Sequence, residues 1–309
     1  MRHLDIDELY AAAEIKGAIS DPDVANLVID RDEVHNENTV PGLSVEYEPI
    51  EDGVDARIEV EEGTVIENPV HLCFGVTASE GRQHIVLDVD VGDRAEIGIL
   101  AHCIFPRAVD VLHVMDADIR IGKNAEYKYL EKHIHSPEGF VEVIPKADVK
   151  LEEGARFQTD FELVEGRAGK VEIDYETNCG KDSVMEMTTK IDGRQDDDIE
   201  IRETGYLEGQ GARGVLTSRV ALREEARAKV FNKLSATAPD TRGHVDCKEI
   251  VRDESRAKAV PVVDVEDPSA HVTHEAAIGS VDKKQLETLM SRGMSEEEGV
   301  DLIIDGLLS

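Results

Sequence analysis

The sequence predicts an all-β protein, a parallel β-helix with short helical segments at both ends, and three observations carry that expectation. Glycine-bearing turns recur at a fixed interval: VGDRAEIGIL, IGKNAEYKYL and EEGARFQTDF place Ala95, Ala125 and Ala155 thirty residues apart. A period of that length marks a solenoid, in which each repeat buries its apolar face only by stacking on its neighbours. The runs between turns are short and alternating, as in RIEV, IVLDVDV, ADIRI and ADVKL, so the repeating unit is made of strand. Tryptophan is absent and aromatics are 4% of the chain, which suits a narrow coil filled by Val, Ile, Leu and Ala. An ordinary antiparallel sandwich is the alternative.

In chain order, residues 1–39 form an N-terminal helical segment. Ile6, Leu9, Tyr10 and Ala13 share a helical face behind a capping Asp5. Residues 40–279 form the coil. Related turns continue through it at EEGTVI, GQGARGVL, REEARAKV and RDESRAKAV, the last two setting Ala226 and Ala257 thirty-one apart. Residues 280–309 are helical again. Ser280 is placed to cap a helix with Leu286, Leu289 and Met290 on one face, stopped at Arg292-Gly293. Ser295 and Glu298 form a capping box for a second helix bearing Val300, Ile303, Ile304 and Leu307. These stripes pack on the body or receive a partner.

Charge narrows the range of partners. Asp and Glu total 67 against 34 Lys and Arg, a net charge of -33 that repels phosphate backbones and anionic lipid, so neither nucleic acid nor a membrane surface is expected as a partner. No apolar run is long enough to span a bilayer and no signal-peptide pattern opens the chain, so a cytoplasmic location is expected. The four cysteines form no CxxC pair and are expected as thiols. P-loop, GxGxxG and GxSxG motifs are all missing, which leaves nucleotide and hydrolase chemistry without support.

Two groups of residues could carry chemistry. Cys73, Cys103 and His133 are also thirty apart and would stack as a ladder of soft ligands or sulfur carriers, or simply as interior residues. His133-Ile134-His135 with Glu138 is similar to half of a cupin metal motif, whose second half is missing. The stronger group lies near the end of the coil: Cys247 in RGHVDCKEIV, then His271, His274 and Glu275 in VPVVDVEDPSAHVTHEAAIG, about one coil later. A thiolate, an imidazole and a carboxylate on adjacent rungs make a mixed ligand set suited to iron in a labile cluster.

At these residues the chain resembles the SufB/SufD family of iron–sulfur cluster assembly scaffolds. The match runs from VDCKEIV through AVPVVDVEDPSAHVTHEAAIG to QLETLMSRGMSEEEGVDLIIDGLL, and its SA-x-x-x-HEA, QL and RG elements are specific. The resemblance implies a right-handed β-helix whose last rungs form a dimer interface, with C-terminal helices that dock a SufC-like ABC ATPase. In the family one subunit supplies a cysteine matching Cys247 and the other a histidine matching His274; this chain has both, which implies a homodimer. The implied cargo is a transient 2Fe–2S or 4Fe–4S cluster bound through Cys247, His274 and Glu275, with His271, Cys103 and His133 as secondary candidates. A sulfur donor and apo-protein acceptors are implied as partners, and Leu286, Leu289, Met290, Arg292, Gly293 and Ile303 as the ATPase-docking residues. The chain departs from the family in two places. His133 in YLEKHIH stands where a sulfur-receiving cysteine would fall, and Glu287 and Thr288 replace an aromatic pair. On this reading the chain is a scaffold and not an enzyme, ATP hydrolysis belonging to the partner. A polysaccharide-active β-helix enzyme and a purely structural clamp for the ATPase are the rivals.

Overall fold

The computed structural model describes residues 16–309. The N-terminal helix expected around Ile6, Leu9, Tyr10 and Ala13 lies outside them; a four-residue helix, α1 (Lys16–Ile19), opens the described part. Two parallel-stranded sheets face each other and the chain alternates between them, one strand in each per coil. The first sheet contains β1 (Asn26–Asp30), β5 (Val70–Gly75), β7 (Glu96–Phe105), β9 (Glu126–His135), β11 (Arg156–Glu165), β13 (Val184–Gly193), β15 (Arg213–Leu222), β17 (Arg242–Val251) and β19 (His271–Gly279). The second contains β4 (Gly53–Val60), β6 (Glu80–Val91), β8 (Asp110–Ile121), β10 (Val141–Leu151), β12 (Lys170–Cys179), β14 (Asp198–Leu207), β16 (Arg227–Ala236) and β18 (Arg256–Val265). This is the predicted β-solenoid. At its N-terminal end, β2 (Glu33–Asn38) and β3 (Leu43–Ile50) pair antiparallel on β1 and β4 and cover the first rung.

The expected boundary at residue 39 is therefore displaced. Residues 26–38, assigned from sequence to the helical segment, form β1 and β2 and belong to the first sheet. The run NLVID is too short and too rich in branched residues for a helix, and Arg31, at φ 56°, turns it into a hairpin.

The thirty-residue period comes from the corners. One corner repeats a residue in the left-handed region at Gly63, Arg94, Asn124, Gly154, Asp182, Gly211 and Asp240. Such a conformation favours Gly, Asn and Asp, which is why those residues recur there. A β-carbon at Gly154 would fall 2.4 Å from Asn124 Oδ1, so a side chain there would have to displace that amide as well as adopt the left-handed conformation. Between corners, alternate residues point inward. Val, Ile, Leu and Ala fill most of the coil, but Phe74, Phe105, Tyr127 and Phe161 are also fully buried, so the interior holds more rings than the composition suggested.

The step per coil is not constant. It is 31 residues from Val60 to Val91, 30 from Glu96 to Glu126, 28 from Arg156 to Val184 and 29 from Val184 to Arg213. Ala257 consequently pairs with Ala228 and not with Ala226, whose carbonyl accepts from Arg256 in the corner.

The two C-terminal helices, α2 (Lys283–Met290) and α3 (Glu296–Leu308), lie on the flank of the solenoid and leave its last rung uncovered. Val300, Ile304 and Leu308 pack with Val281 on Ala221 of β15, joined by Ile250, Leu286 and Ile303. Arg223 donates to Asp301 over 2.5 Å and ties α3 to the corner after β15. The capping box of Ser295 and Glu298 forms as predicted, but the cap of α2 is Asp282, which accepts from Gln285 N, in place of Ser280. Among the described residues no helix is long and apolar enough to cross a membrane.

Candidate functional site

The strands of the last rung, β18 and β19, differ from the rest in having nothing above them among the described residues. β18 is the outermost strand of one sheet and β19 of the other. Nearly every residue of β19 is exposed, Ile278 among them at 46%, and Val265 at the end of β18 is 45% exposed. Cys247 sits one rung below, on β17, pointing inward and fully buried. Its register partner on β19 is Ala276.

The residues expected around Cys247 separate by register. His274 pairs with Val245, which shares the inward face with Cys247, so His274 stands on the open inner side of the last rung, two residues along from the position over the thiol. Glu275 pairs with Asp246 on the outer face. The strand alternation thus sets Glu275 and Cys247 on opposite sides of the sheet within one chain. His271 pairs with Arg242 at the start of β19 and is exposed on the outer face.

The carboxylate that does share the Cys247 face is Glu249, two residues on. It is buried, neither oxygen has a hydrogen-bond partner, and burial raises its carboxyl to about 7, with Arg219 opposing and Asp246 adding to the shift. Asn232, across the coil on β16, donates to Ser218 Oγ at 2.7 Å and to Cys247 Sγ at 3.8 Å. The thiol is pushed up to about 12 by burial first, then by Glu249, Glu203 and Asp246, a Ser218 hydrogen bond acting the other way. It is a protonated thiol until a cation displaces its proton or a base removes it. Glu249 could have been found from sequence by strand parity in CKEIV; Asn232 could not, because it comes from the other sheet.

A second polar group lies deep in the coil. Cys103 and His133 are register partners on β7 and β9, and Glu131 shares their inward face. Among the described residues these three form the one group of His, Cys and acidic side chains whose ligand atoms all lie within 4.8 Å of one another. Glu131 Oε1 is 2.8 Å from His133 Nε2 and accepts from Cys103 Sγ at 3.6 Å. His133 Nδ1 meets His135 Nε2 at 3.2 Å, and His135 Nδ1 donates to the Arg167 carbonyl at 2.8 Å. Burial raises the Glu131 carboxyl to about 7 and lowers His133 and His135 to about 3, leaving neutral imidazoles. Cys73 does not continue the ladder. The step from β5 to β7 is 29 residues, so Cys73 pairs with His102, and Phe74 takes the place opposite Cys103.

The pairs Ala101–Glu131, Glu131–Phe161, Phe161–Thr189, Thr189–Ser218 and Ser218–Cys247 form one column, so Glu131 and Cys247 face the same interior from opposite parts of the coil. On the flank, Leu286 and Ile303 are half-buried against the body, Leu289 is half-buried, and Met290, Arg292 and Gly293 are exposed together with Leu302.

The family model of the SUF system FeS cluster assembly SufBD core domain matches residues 74–307. An iron-sulfur cluster assembly SufBD family protein of Pyrococcus horikoshii is 36% identical over 97% of this chain and 92% of its own. Another, of Methanocaldococcus jannaschii, is 37% identical over 84% and 82%. A more distant one from Archaeoglobus fulgidus is 26% identical over 80% of this chain and 66% of its own. With a matched region that takes in nearly every rung, the inward Cys247 and both C-terminal helices, the chain belongs to the SufBD family of iron–sulfur cluster assembly proteins.

Proposed function

We propose that this protein is a cytoplasmic scaffold on which a 2Fe–2S or 4Fe–4S cluster is built and from which it is passed on. Two copies join along their last rungs, and a SufC-like ABC ATPase docks on α2 and α3. The observation that carries the reading is the uncovered end of the coil with an inward cysteine one rung beneath it. The edge of β19 offers unpaired N–H and C=O groups, which pairing with a second copy would satisfy. β18 is less adhesive because Pro261 removes a donor from its middle.

In a two-fold pairing the exposed His274 of one subunit would approach Cys247 of the other, giving the mixed sulfur and nitrogen donors that hold iron loosely. Iron entering displaces the thiol proton, and Glu249, held near neutrality by burial, is the adjacent base. Sulfur reaches the site from a donor protein and the finished cluster leaves to an apo-protein. The scaffold itself catalyses no bond cleavage, ATP hydrolysis being the partner's. The exposed Met290, Arg292, Gly293 and Leu302, next to the acidic start of α3, supply a mixed apolar and charged docking face.

Anaerobic reconstitution with iron and sulfide, read by visible absorption and sedimentation, tests this. An oxygen-labile cluster on a dimer, lost in Cys247→Ala and kept in Cys73→Ala and Cys179→Ala, is the expected result. A monomer without cluster, or equal cluster in Cys247→Ala, overturns it.

A further inference from the structure

The group at Cys103, Glu131 and His133 lies four to five rungs from Cys247 and takes no part in the proposed outer site. Its hydrogen bonds assign its protons. The Arg167 carbonyl can only accept, so His135 carries its proton on Nδ1 and presents a bare Nε2. His133 must then donate from Nδ1 to His135, which leaves His133 Nε2 bare as well. Facing it at 2.8 Å is Glu131 Oε1, which supplies the shared proton as a carboxylic acid. Cys103 aims its S–H at the same oxygen. A bare imidazole nitrogen, a carboxyl oxygen and a sulfur therefore lie within 4.8 Å of one another, with the ring orientation fixed from behind by two further hydrogen bonds, as the outer hydrogen bond of a metal-binding histidine fixes its ring.

Two independent observations point to a missing occupant. Glu131 Oε2 is buried with no hydrogen-bond partner at full geometry, the Tyr175 and Tyr129 hydroxyls being the groups turned toward the carboxyl. His113, 1% exposed, has neither ring nitrogen partnered, and its ring centre lies 6.0 Å from that of His133 at an interplanar angle of 67°. His113 lies beside the group without joining it, since its nitrogens are not within 4.8 Å of all three donor atoms.

We propose that Cys103, Glu131 and His133 form a buried three-donor site for one divalent transition-metal ion, zinc or ferrous iron. The charge balances without any added group. Binding breaks the S–H of Cys103 and the O–H of Glu131, both protons leave to solvent, and bonds form from sulfur, from carboxylate oxygen and from the His133 imidazole nitrogen. One ion of charge +2 replaces two protons, so the buried site keeps its net charge, whereas a monovalent ion in their place would leave an uncompensated negative charge in the coil. No change of oxidation state is required. The thiolate and imidazole donors select zinc or iron over magnesium and calcium. Because the group is sealed within the coil, the ion enters as the rungs close during folding.

The test uses the full chain carrying Cys247→Ala, so that metal at the outer end does not enter the count. It is produced in medium supplemented with zinc, with cobalt, or anaerobically with ferrous iron, and dialysed against EDTA. About one ion per chain is expected to remain. The cobalt form should show the visible bands of a tetrahedral site and a near-ultraviolet thiolate-to-cobalt charge-transfer band. Retention of zinc, of iron, or of both supports the site and says which ion it prefers. Cys103→Ser, Glu131→Gln and His133→Gln are each expected to lower retained metal about tenfold or more with the circular dichroism unchanged. A chain that retains none of the three ions overturns the proposal. So does a cobalt form without the charge-transfer band, a spectrum read on the Cys247→Ala chain that decides the matter even where a Cys103, Glu131 or His133 variant fails to fold. Parental metal content in all three variants overturns it too.

Discussion

Ala276 on the outermost rung is the register partner of Cys247 beneath it, so a methyl group occupies the position directly over the thiol. A bulkier residue there would close the coil over Cys247. Ala276→Leu is expected to lower cluster content after reconstitution several-fold. Stability should move by no more than about 0.5 kcal/mol, since the position is exposed. Visible absorption and denaturant midpoints measured on one preparation check this, and an undiminished cluster would mean that iron does not reach Cys247 through the last rung.

The separation of Cys247 from His274 by one rung makes ligand sharing between subunits testable. Differently tagged Cys247→Ala and His274→Ala chains, co-expressed and isolated as mixed dimers, carry one site lacking both ligands and one intact. Such dimers are expected to keep about half the parental cluster, by counting sites under two-fold symmetry. Cluster content no higher than in either single mutant would place both ligands within one chain.

The inner and outer faces of α3 should respond differently to substitution. Ile304 is fully buried against the solenoid flank, and Ile304→Ala is expected to cost about 2–5 kcal/mol in chemical denaturation. Leu302 is 47% exposed, and Leu302→Glu should change stability by no more than about 0.5 kcal/mol while reducing ATPase co-purification. Full retention of the ATPase by Leu302→Glu would move the docking surface elsewhere.

Glu203 is buried inside the coil, accepts a hydrogen bond from Thr189 at 2.6 Å, and is raised to about 7 by burial against that bond. The folded carboxyl holds its proton through a range in which the unfolded one has lost it. Folding therefore takes up a proton between the ordinary glutamate value and about 7. Stability is highest below that window, falls as pH rises through it, and is level above it. Glu203→Gln removes this contribution, on the order of 3 kcal/mol at most. The difference between denaturant midpoints at pH 5 and pH 8 should shrink in the variant. An unchanged difference would mean that Glu203 ionises equally in both states.

Sequence alone determined the architecture and the family, because both rest on local rules repeated or conjoined along the chain. Corners that require a left-handed residue impose Gly, Asn or Asp at Asn124, Gly154, Asp182 and Gly211, and a period follows whatever fills the strands between. The capping box at Ser295 and Glu298 is likewise complete within four residues.

Tertiary structure decided which side chains meet. A step that varies between 28 and 31 residues cannot be read from spacing, and a slip of one residue in a strand reverses the face. That reversal sends Glu275 outward and puts Glu249 beside Cys247. The 29-residue step from β5 to β7 likewise takes Cys73 out of the ladder. Contacts across the coil, such as Asn232 with Cys247 and His113 with His133, join the two sheets at separations no repeat encodes. Burial did the rest: only enclosure within the coil turns Glu131, an ordinary residue of YLEKHIH, into a carboxylic acid facing a bare imidazole.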